Sequence, residues 1–320
     1  MKAAIVTGPN QTPVYGDFEE PIAQTGQELI TVTASALAPT ARVLAAGSHY
    51  ASSNTYPRVV GIDGVGATQS GQRVYFSRPE APFGSMAEKV TVLPHYCLPV
   101  PDEVDDVTAA AIVNPDLSSF AALRSRAALK AGETILVNGA TGTAGKLAVQ
   151  IAKRMGAKKV IATGRDSAAL RELESLGADI TINLLLEKED LQAALREQLS
   201  GDGVDVVLDY LFGESAETLL ATIAMTRQEG FKPIRYVVVG GASGQEIRLP
   251  AMVLLTVPVV LMGSGLGSVP WKDVIDAMTD VLQAVVPGGL QIDTTAVPLA
   301  DVEKTWNANS GRSRLVFVVK

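Results

Sequence analysis

The sequence predicts an α/β protein in which a doubly wound parallel sheet is preceded by a β-rich region. Three observations carry that prediction. From Thr134 onward, short apolar strands alternate with amphipathic helices, the cadence of parallel βαβ units. A glycine-rich turn, Gly139-Ala140-Thr141-Gly142-Thr143-Ala144-Gly145, joins the first of these strands to the first of these helices. Residues 1 to about 110 instead carry short β-type runs cut by Gly and Pro, with little helical periodicity.

In order, Leu29 to Ala34, Gln72 to Phe76 and Lys89 to Val92 read as strands of the β-rich region, which Pro99-Val100-Pro101-Asp102 closes. Asp106 to Leu129 is helical in composition, with a break expected at Asn114-Pro115-Asp116. The alternating part then runs strand Thr134 to Asn138, helix Ala144 to Met155, strand Lys159 to Thr163 and helix Ser167 to Leu176. Ser167 is the expected cap of that second helix and Gly177 its stop. Strands at Asp179 to Asn183, Val204 to Asp209, Arg235 to Val239 and Val259 to Met262 follow, with helices Leu191 to Leu199 and Ser215 to Thr226 between them. A helix from Trp271 to Val285, a strand near Thr294 to Val297, a helix around Leu299 to Asn307 and a last strand, Leu315 to Val319, complete the chain.

A length of 320 residues suits two domains. With 47% apolar and 19% charged residues, the chain can bury large cores. Its net charge of −7 argues against nucleic acid or an anionic membrane as the main partner. Cys97 is the single cysteine, so neither an internal disulfide nor a thiolate zinc cluster can form. That fits a reducing compartment, and the expectation is a cytoplasmic protein. The apolar stretch after Met1 reads as a first strand and is too short for a signal peptide. The longest apolar run, Ala251 to Gly263, is broken by Pro258 and falls short of the roughly 20 residues a membrane span needs.

Four glycine clusters occur: residues 61–66, 139–145, 240–244 and 263–267. Only the second lies between an apolar strand and an amphipathic helix, where glycines let the backbone approach a pyrophosphate and the helix offers free N–H groups. Gly139, Thr141, Gly142, Thr143, Ala144 and Gly145 are therefore expected to hold a dinucleotide, although the spacing is G-x-x-G-x-x-G. A plain β–α turn is the competing reading. An acidic residue at the end of the second strand would take the ribose hydroxyls of NAD. Here Gly164 is followed by Arg165, leaving room and a guanidinium for a 2′-phosphate. The expected ligand is NADP(H). An ordinary solvated arginine is the alternative, and Asp166 could partly neutralise the guanidinium.

With these motifs placed, the chain resembles the medium-chain dehydrogenase/reductase superfamily, in its zinc-independent quinone oxidoreductase branch. Gly61-Ile62-Asp63-Gly64-Val65-Gly66 is similar to that family's G-x-E-x-x-G segment, Phe83-Gly84-Ser85-Met86-Ala87-Glu88 to its G-G-Y-A-E element, and Asn138 to Ala152 to its phosphate motif. Gly203 to Asp209 and Val239 to Gly244 match its fourth and fifth Rossmann strands, so the likeness runs the length of the chain. The resemblance implies a Rossmann NADP(H)-binding domain at 116–267 and a GroES-like β-rich substrate domain built from 1–115 and 268–320. It also implies that Gly240, Gly241 and Ala242, with Gly263 and Ser264, carry the nicotinamide end, simple turn chemistry being the other account of these glycines.

Where zinc-dependent members keep Cys and His ligands, this chain has Leu37-Ala38-Pro39-Thr40, Gly61-Ile62-Asp63 and Val113-Asn114-Pro115, so no metal is expected. Cys97 reads as a half-buried structural thiol and His95 as a solvated side chain. Without a Lewis acid, hydride addition to a quinone or an activated alkene is easier than alcohol oxidation, because charge spreads onto an oxygen that hydrogen bonds can stabilise. The branch's pocket Tyr and Asn are replaced here by Val43 and Ala38. The remaining catalytic candidates are Tyr50, near His49, and Asn114, with Asp63 read as a structural ion-pair partner. A Tyr that often follows the third strand is also missing, the stretch being Asn183-Leu184-Leu185. Three readings stay open: an NADPH-dependent quinone or enone reductase, an enoyl reductase acting on carrier-bound chains, and a nucleotide-binding protein with little catalysis. A homodimer joined through the Rossmann sheets is implied, with the run from Ala251 to Met262 as its edge or as a buried strand.

Overall fold

In the computed structural model, residues 1–48, 52, 55–226, 232–265, 267–285, 289–308 and 313–320 are described. The chain forms two units, Met1–Pro115 with Met278–Lys320, and Asp116–Ala277. The return to the first unit falls ten residues after the expected position, inside a helix.

The first unit opens with strands β1 (Lys2–Val6), β2 (Val14–Asp17) and β3 (Glu28–Ala36), helix α1 (Pro39–Ala45), then β4 (Arg58–Val59), β5 (Asp63–Thr68), β6 (Arg73–Ser77), β7 (Lys89–Val92) and β8 (Cys97–Pro99). Helix α1 was not expected. Pro39 sits in its first turn, where the missing N–H costs nothing, and Ala41 and Ala45 face a core with Leu37, Val60 and Met86. Helix α2 (Asp106–Ala121) follows, and the first unit's share of it ends at Pro115. The expected break there is absent. Pro115 lies inside the helix at a cost of about 3 kcal/mol. Ile112, Val113 and Leu117 are buried, and each recovers roughly 1.5–3 kcal/mol.

The second unit contains β9 (Thr134–Asn138), α3 (Thr143–Arg154), β10 (Lys159–Gly164), α4 (Ser167–Ser175), β11 (Ile180–Asn183), α5 (Lys188–Leu199), β12 (Val206–Asp209), α6 (Gly213–Met225), β13 (Ile234–Val238), α7 (Ala251–Thr256), β14 (Val259–Gly263) and the first half of α8 (Trp271–Ala284). Its six strands pair in parallel in the order β11-β10-β9-β12-β13-β14. In sequence terms this is 3-2-1-4-5-6, so the order reverses between β9 and β12, where ligands of open sheets bind. Leu136, Ile161, Val207 and Tyr236 of the strands pack with Leu195 and Leu199 of α5 and Leu219, Leu220 and Ile223 of α6.

The apolar run from Ala251 divides into α7 and the edge strand β14. A fully buried strand is ruled out, since Met252, Leu254, Leu255 and Val260 are exposed. The N-cap of α4 is also corrected: Asp166, one residue before Ser167, accepts from the amides of Ala168 and Ala169. A carboxylate there also meets the positive helix end.

Back in the first unit, β15 (Thr294–Pro298), the short α9 (Val302–Thr305) and β16 (Arg314–Val318) complete the chain. They extend a mixed sheet ordered β15-β16-β3-β5-β6-β8, with β7 also on β3, beside a three-stranded sheet β2-β1-β4. Thus a Rossmann-type parallel sheet and a separate, mainly antiparallel β unit are both present.

Candidate functional site

Each glycine of the loop between β9 and α3 has its own physical reason. Gly139 has φ +87°, a left-handed conformation that disfavours other residues. A Cβ on Gly145 would stand 2.5 Å from the Gly139 carbonyl oxygen and 2.6 Å from the Ala140 Cα, so helix and turn approach only with hydrogen there. A Cβ on Gly142 would meet nothing within 4 Å, and this glycine borders open space in front of α3. No side chain caps α3, so its leading N–H groups depend on water or a bound anion. Thr141 and Thr143 are half-exposed along the same loop, with Ala144 beside them. These are the geometric requirements of a pyrophosphate cradle.

A buried polar cluster fixes that loop. Asp209, with no exposed surface, ends β12. Its Oδ1 accepts from Asn138 Nδ2 at 2.9 Å and from the amides of Leu211 and Phe212, and its Oδ2 from the Tyr236 hydroxyl at 2.6 Å. Thr163 donates to Asn138 Oδ1 at 2.7 Å and accepts from the Gly139 amide. Ser215 exchanges hydrogen bonds with the same asparagine. The carboxyl ends of β9, β10, β12 and β13 are therefore one hydrogen-bonded body, and its first loop residue is Gly139. Sequence reasoning placed Asn138 and Asp209 in motifs without assigning them this role. It missed Thr163, Ser215 and Tyr236, whose partners are brought together only by parallel pairing.

Beside this cluster lies a cavity of about 490 Å³ lined by Asn138, Arg165, Leu184, Leu191, Leu211, Glu214 and Ala242, among others. Its lining is mixed: leucines that could pack on a planar base alternate with Glu214, Ser215 and Ser243, and the exposed Arg165 is among the lining residues. Gly164 has a different use from the one expected. A Cβ there would be 2.3 Å from Thr141 Cγ2, so the room over Gly164 is filled by Thr141 and no phosphate group can enter it. Asp166 is engaged at the amides of α4.

The loops after β13 and β14 show turn chemistry at most of the expected nicotinamide positions. A Cβ on Gly240 would strike the Tyr210 carbonyl oxygen at 2.8 Å, and one on Gly241 the Gln245 side chain at 2.6 Å. Ala242 is exposed and lines the cavity. Gly263 is exposed, with its carbonyl accepting from Arg126 Nε at 2.8 Å. Ser264 is buried, and its amide donates to the Val238 carbonyl at 2.8 Å, prolonging the β13–β14 pairing.

The chain is similar to known proteins in sequence and fold. Residues 144–283 match the family described as zinc-binding dehydrogenase. The chain is 27% identical to a probable NADPH-dependent quinone reductase of Emericella nidulans, across 100% of both proteins. The crystal structure of a probable oxidoreductase from Mycobacterium abscessus superposes with a TM-score of 0.79 at 29% identity, covering 99% of each chain. The quinone oxidoreductase of Thermus thermophilus, also solved with NADPH, shares the fold with a TM-score of 0.81 at 24% identity, covering 99% of this chain and 100% of that one. Along its whole length the chain is similar to these oxidoreductases.

The first unit carries the remaining candidates. Asn114 is half-buried on α2, and its Nδ2 donates to Asp63 Oδ2 at 2.8 Å. The Tyr75 hydroxyl donates to the same oxygen at 3.0 Å. Burial pushes the Asp63 carboxyl up to about 6, against the pull of the Arg314 charge and of these two donors. The expected ion pair is not what holds Asp63: its partners are the Tyr75 hydroxyl and the Asn114 amide, which it fixes. Tyr50 and His49 lie outside the described residues. Among the described residues no three His, Cys, Asp or Glu side chains converge as metal ligands. Cys97 is half-buried, and burial, with the Glu28 charge second, pushes its thiol up to about 11. A thiol so rarely ionised is a poor nucleophile. Among the described residues no helix is long and apolar enough to cross a membrane.

Proposed function

We propose that the chain is an NADPH-dependent oxidoreductase that transfers a hydride to a quinone or an activated alkene. The observation that carries this reading is the cradle at Gly139 to Gly145 with Arg165 at the rim of the adjoining cavity. The activity of a relative supports it, since a probable NADPH-dependent quinone reductase matches end to end. Bound NADPH would supply the hydride. This chain's residues would do the rest: Gly142 to Gly145 hold the pyrophosphate, Arg165 the 2′-phosphate, and the leucines of the adjoining cavity the adenine. The loops containing Gly240, Gly241, Ala242, Gly263 and Ser264 would bound the nicotinamide end. Asn114, its amide fixed by Asp63, is the described side chain proposed to hydrogen-bond the substrate oxygen, and Tyr50 is its proposed companion. The reaction is proposed to proceed without zinc, because Ala38, Ile62 and Asn114 stand among the residues where zinc-dependent relatives place ligands.

Assaying NADPH oxidation against a panel of quinones, enones and enoyl thioesters tests the reading. Turnover of a quinone or simple enone is expected, with activity unchanged by dialysis against a chelator. Turnover of enoyl thioesters alone would favour work on carrier-bound chains. Tight NADPH binding without any turnover would leave only a nucleotide-binding role.

We further propose a homodimer through the β14 edge. Among the described residues this strand pairs with β13 alone, and Met252, Leu254 and Leu255 of α7 and Val260 of β14 are exposed. An open apolar edge is an aggregation hazard unless a partner covers it. Light scattering should give twice the chain mass, and a monomer at all concentrations would refute it. The cellular site proposed is the cytoplasm, with the single cysteine as its support.

A further inference from the structure

We propose that a cavity in the first unit, walled by α1, β4 and the loop between β6 and β7, binds a small organic monocarboxylate, with Arg58 holding its head group. The site is separate from the proposed hydride-transfer centre, and the inference does not depend on that reading.

The cavity has a volume of about 220 Å³, the space of roughly seven water molecules. Ala41, Leu44 and Ala45 of α1 form one wall, and Val59 of β4 and Phe83 form another. Arg58 is the charged residue among those lining it. The spacing i, i+3, i+4 puts the three α1 residues on one face of that helix. Val43 is exposed and falls outside that face. Neither Asn114 nor Asp63 is among the lining residues. The cavity is therefore not the place assigned to the substrate oxygen.

What Arg58 lacks is a counter-charge. It is only 9% exposed, and a guanidinium keeps its proton at any ordinary pH. Its Nη2 donates to the Leu44 carbonyl in the last turn of α1. The Tyr56 ring centroid lies 5.1 Å from its central carbon and offers π electrons without a full charge. The Arg58 Nε is buried without an acceptor, and the Tyr56 hydroxyl is buried without a partner. Among the described residues no carboxylate pairs with Arg58. Glu80, between two lining residues, is exposed.

A carbonyl at a helix end needs a donor, and a neutral side chain or water can supply one. Burying a full charge for that purpose alone is costly. The geometry suits an anion from outside the chain, whose oxygens would take the Nε proton and neutralise the guanidinium. The rest of the cavity selects the kind of anion. One cation calls for one negative charge, which disfavours a phosphate monoester carrying about −1.5 to −2. Apolar walls call for an apolar body. The volume admits one ring or a short chain. Benzoate and hexanoate meet all three conditions.

The test titrates the full-length chain with benzoate, hexanoate and, as an uncharged match, benzamide, following heat and melting temperature. At least one of the two acids should bind once per chain and raise the melting temperature. Benzamide should bind at least about tenfold more weakly than benzoate. Arg58→Gln keeps a donor for the Leu44 carbonyl and removes the charge, and should weaken the acids at least about tenfold. Ala81→Leu keeps Arg58 and narrows the cavity from an exposed lining position. It should weaken the acids as well, and it carries the test if Arg58→Gln does not fold. The melting temperature without ligand reports folding in each variant. Failure of both acids to bind below about 10 mM would overturn the proposal. So would benzamide binding as tightly as benzoate, or Arg58→Gln binding the acids like wild type, since the guanidinium would then not hold the head group. Unchanged binding by Ala81→Leu would place the acid elsewhere on the chain and overturn it too.

Discussion

Arg165→Glu is expected to lower kcat/KM for NADPH by at least ~100-fold while changing the value for NADH by less than about threefold. The guanidinium is exposed on the rim of the cavity that suits the adenosine end. Two charge-assisted hydrogen bonds to a phosphate contribute roughly 1.5–3 kcal/mol each. Glutamate removes both and adds repulsion, whereas a ribose diol can accept a carboxylate partner without penalty. Nothing in the packing changes, because the side chain is exposed. Steady-state kinetics with both cofactors at one ionic strength measure the effect. Equal losses for NADPH and NADH would show that Arg165 does not touch the 2′-phosphate.

The second large effect is structural and reaches the site through the buried cluster. Asp209→Ala should lower stability by about 3–5 kcal/mol, read as a fall of roughly 10 °C or more in melting temperature. Four donors converge on this carboxylate: Asn138 Nδ2, the amides of Leu211 and Phe212, and the Tyr236 hydroxyl. Asp209, Asn138 and Tyr236 have almost no exposed surface, so the side-chain donors cannot turn to bulk water. Each buried donor left without an acceptor costs about 1–3 kcal/mol, with water entering the gap offsetting part of it. Asn138 would lose one of its anchors, so the loop beginning at Gly139 should loosen and NADPH should bind more weakly even at temperatures where the variant is folded. Asp209→Asn keeps one acceptor oxygen and should fall between the two. A melting temperature within a few degrees of wild type for Asp209→Ala would mean the cluster does not brace the loop.

The parallel sheet was legible because its signals are local. An apolar strand, three spaced glycines and an amphipathic helix each announce themselves within about 20 residues, and all six strands of the sheet stand where periodicity places them. Helix α1 was hidden by its brevity and by a flanking β-rich composition. The break expected at Pro115 failed because tertiary burial of Ile112, Val113 and Leu117 outweighs one missing hydrogen bond. Asp166 and Ser167 are both good caps by propensity, and only the geometry separates them, giving the helix to one and the strand neighbour to the other.

At the site, residue types could be read but partnerships could not. The sequence marks Gly139, Gly142 and Gly145 as a set, yet φ at the first, open space at the second and backbone contact at the third distinguish them. Gly164 reads as room for a phosphate, and the structure fills that room with Thr141 from another loop. Asn183 reads as the loss of a tyrosine. Its hydrogen bond to Ser167 depends on β10 and β11 lying in parallel register, which no local pattern encodes. The pairing of Asn114 with Asp63, 51 positions apart, is of the same kind.

The most direct test of the central claim is a crystal structure of the chain soaked with NADPH. The expected result has the pyrophosphate against the amides of Gly142 to Gly145, the adenine in the cavity beside Leu184 and Leu211, and the 2′-phosphate on Arg165. A cofactor bound elsewhere, or a 2′-phosphate pointing to solvent away from Arg165, would contradict it.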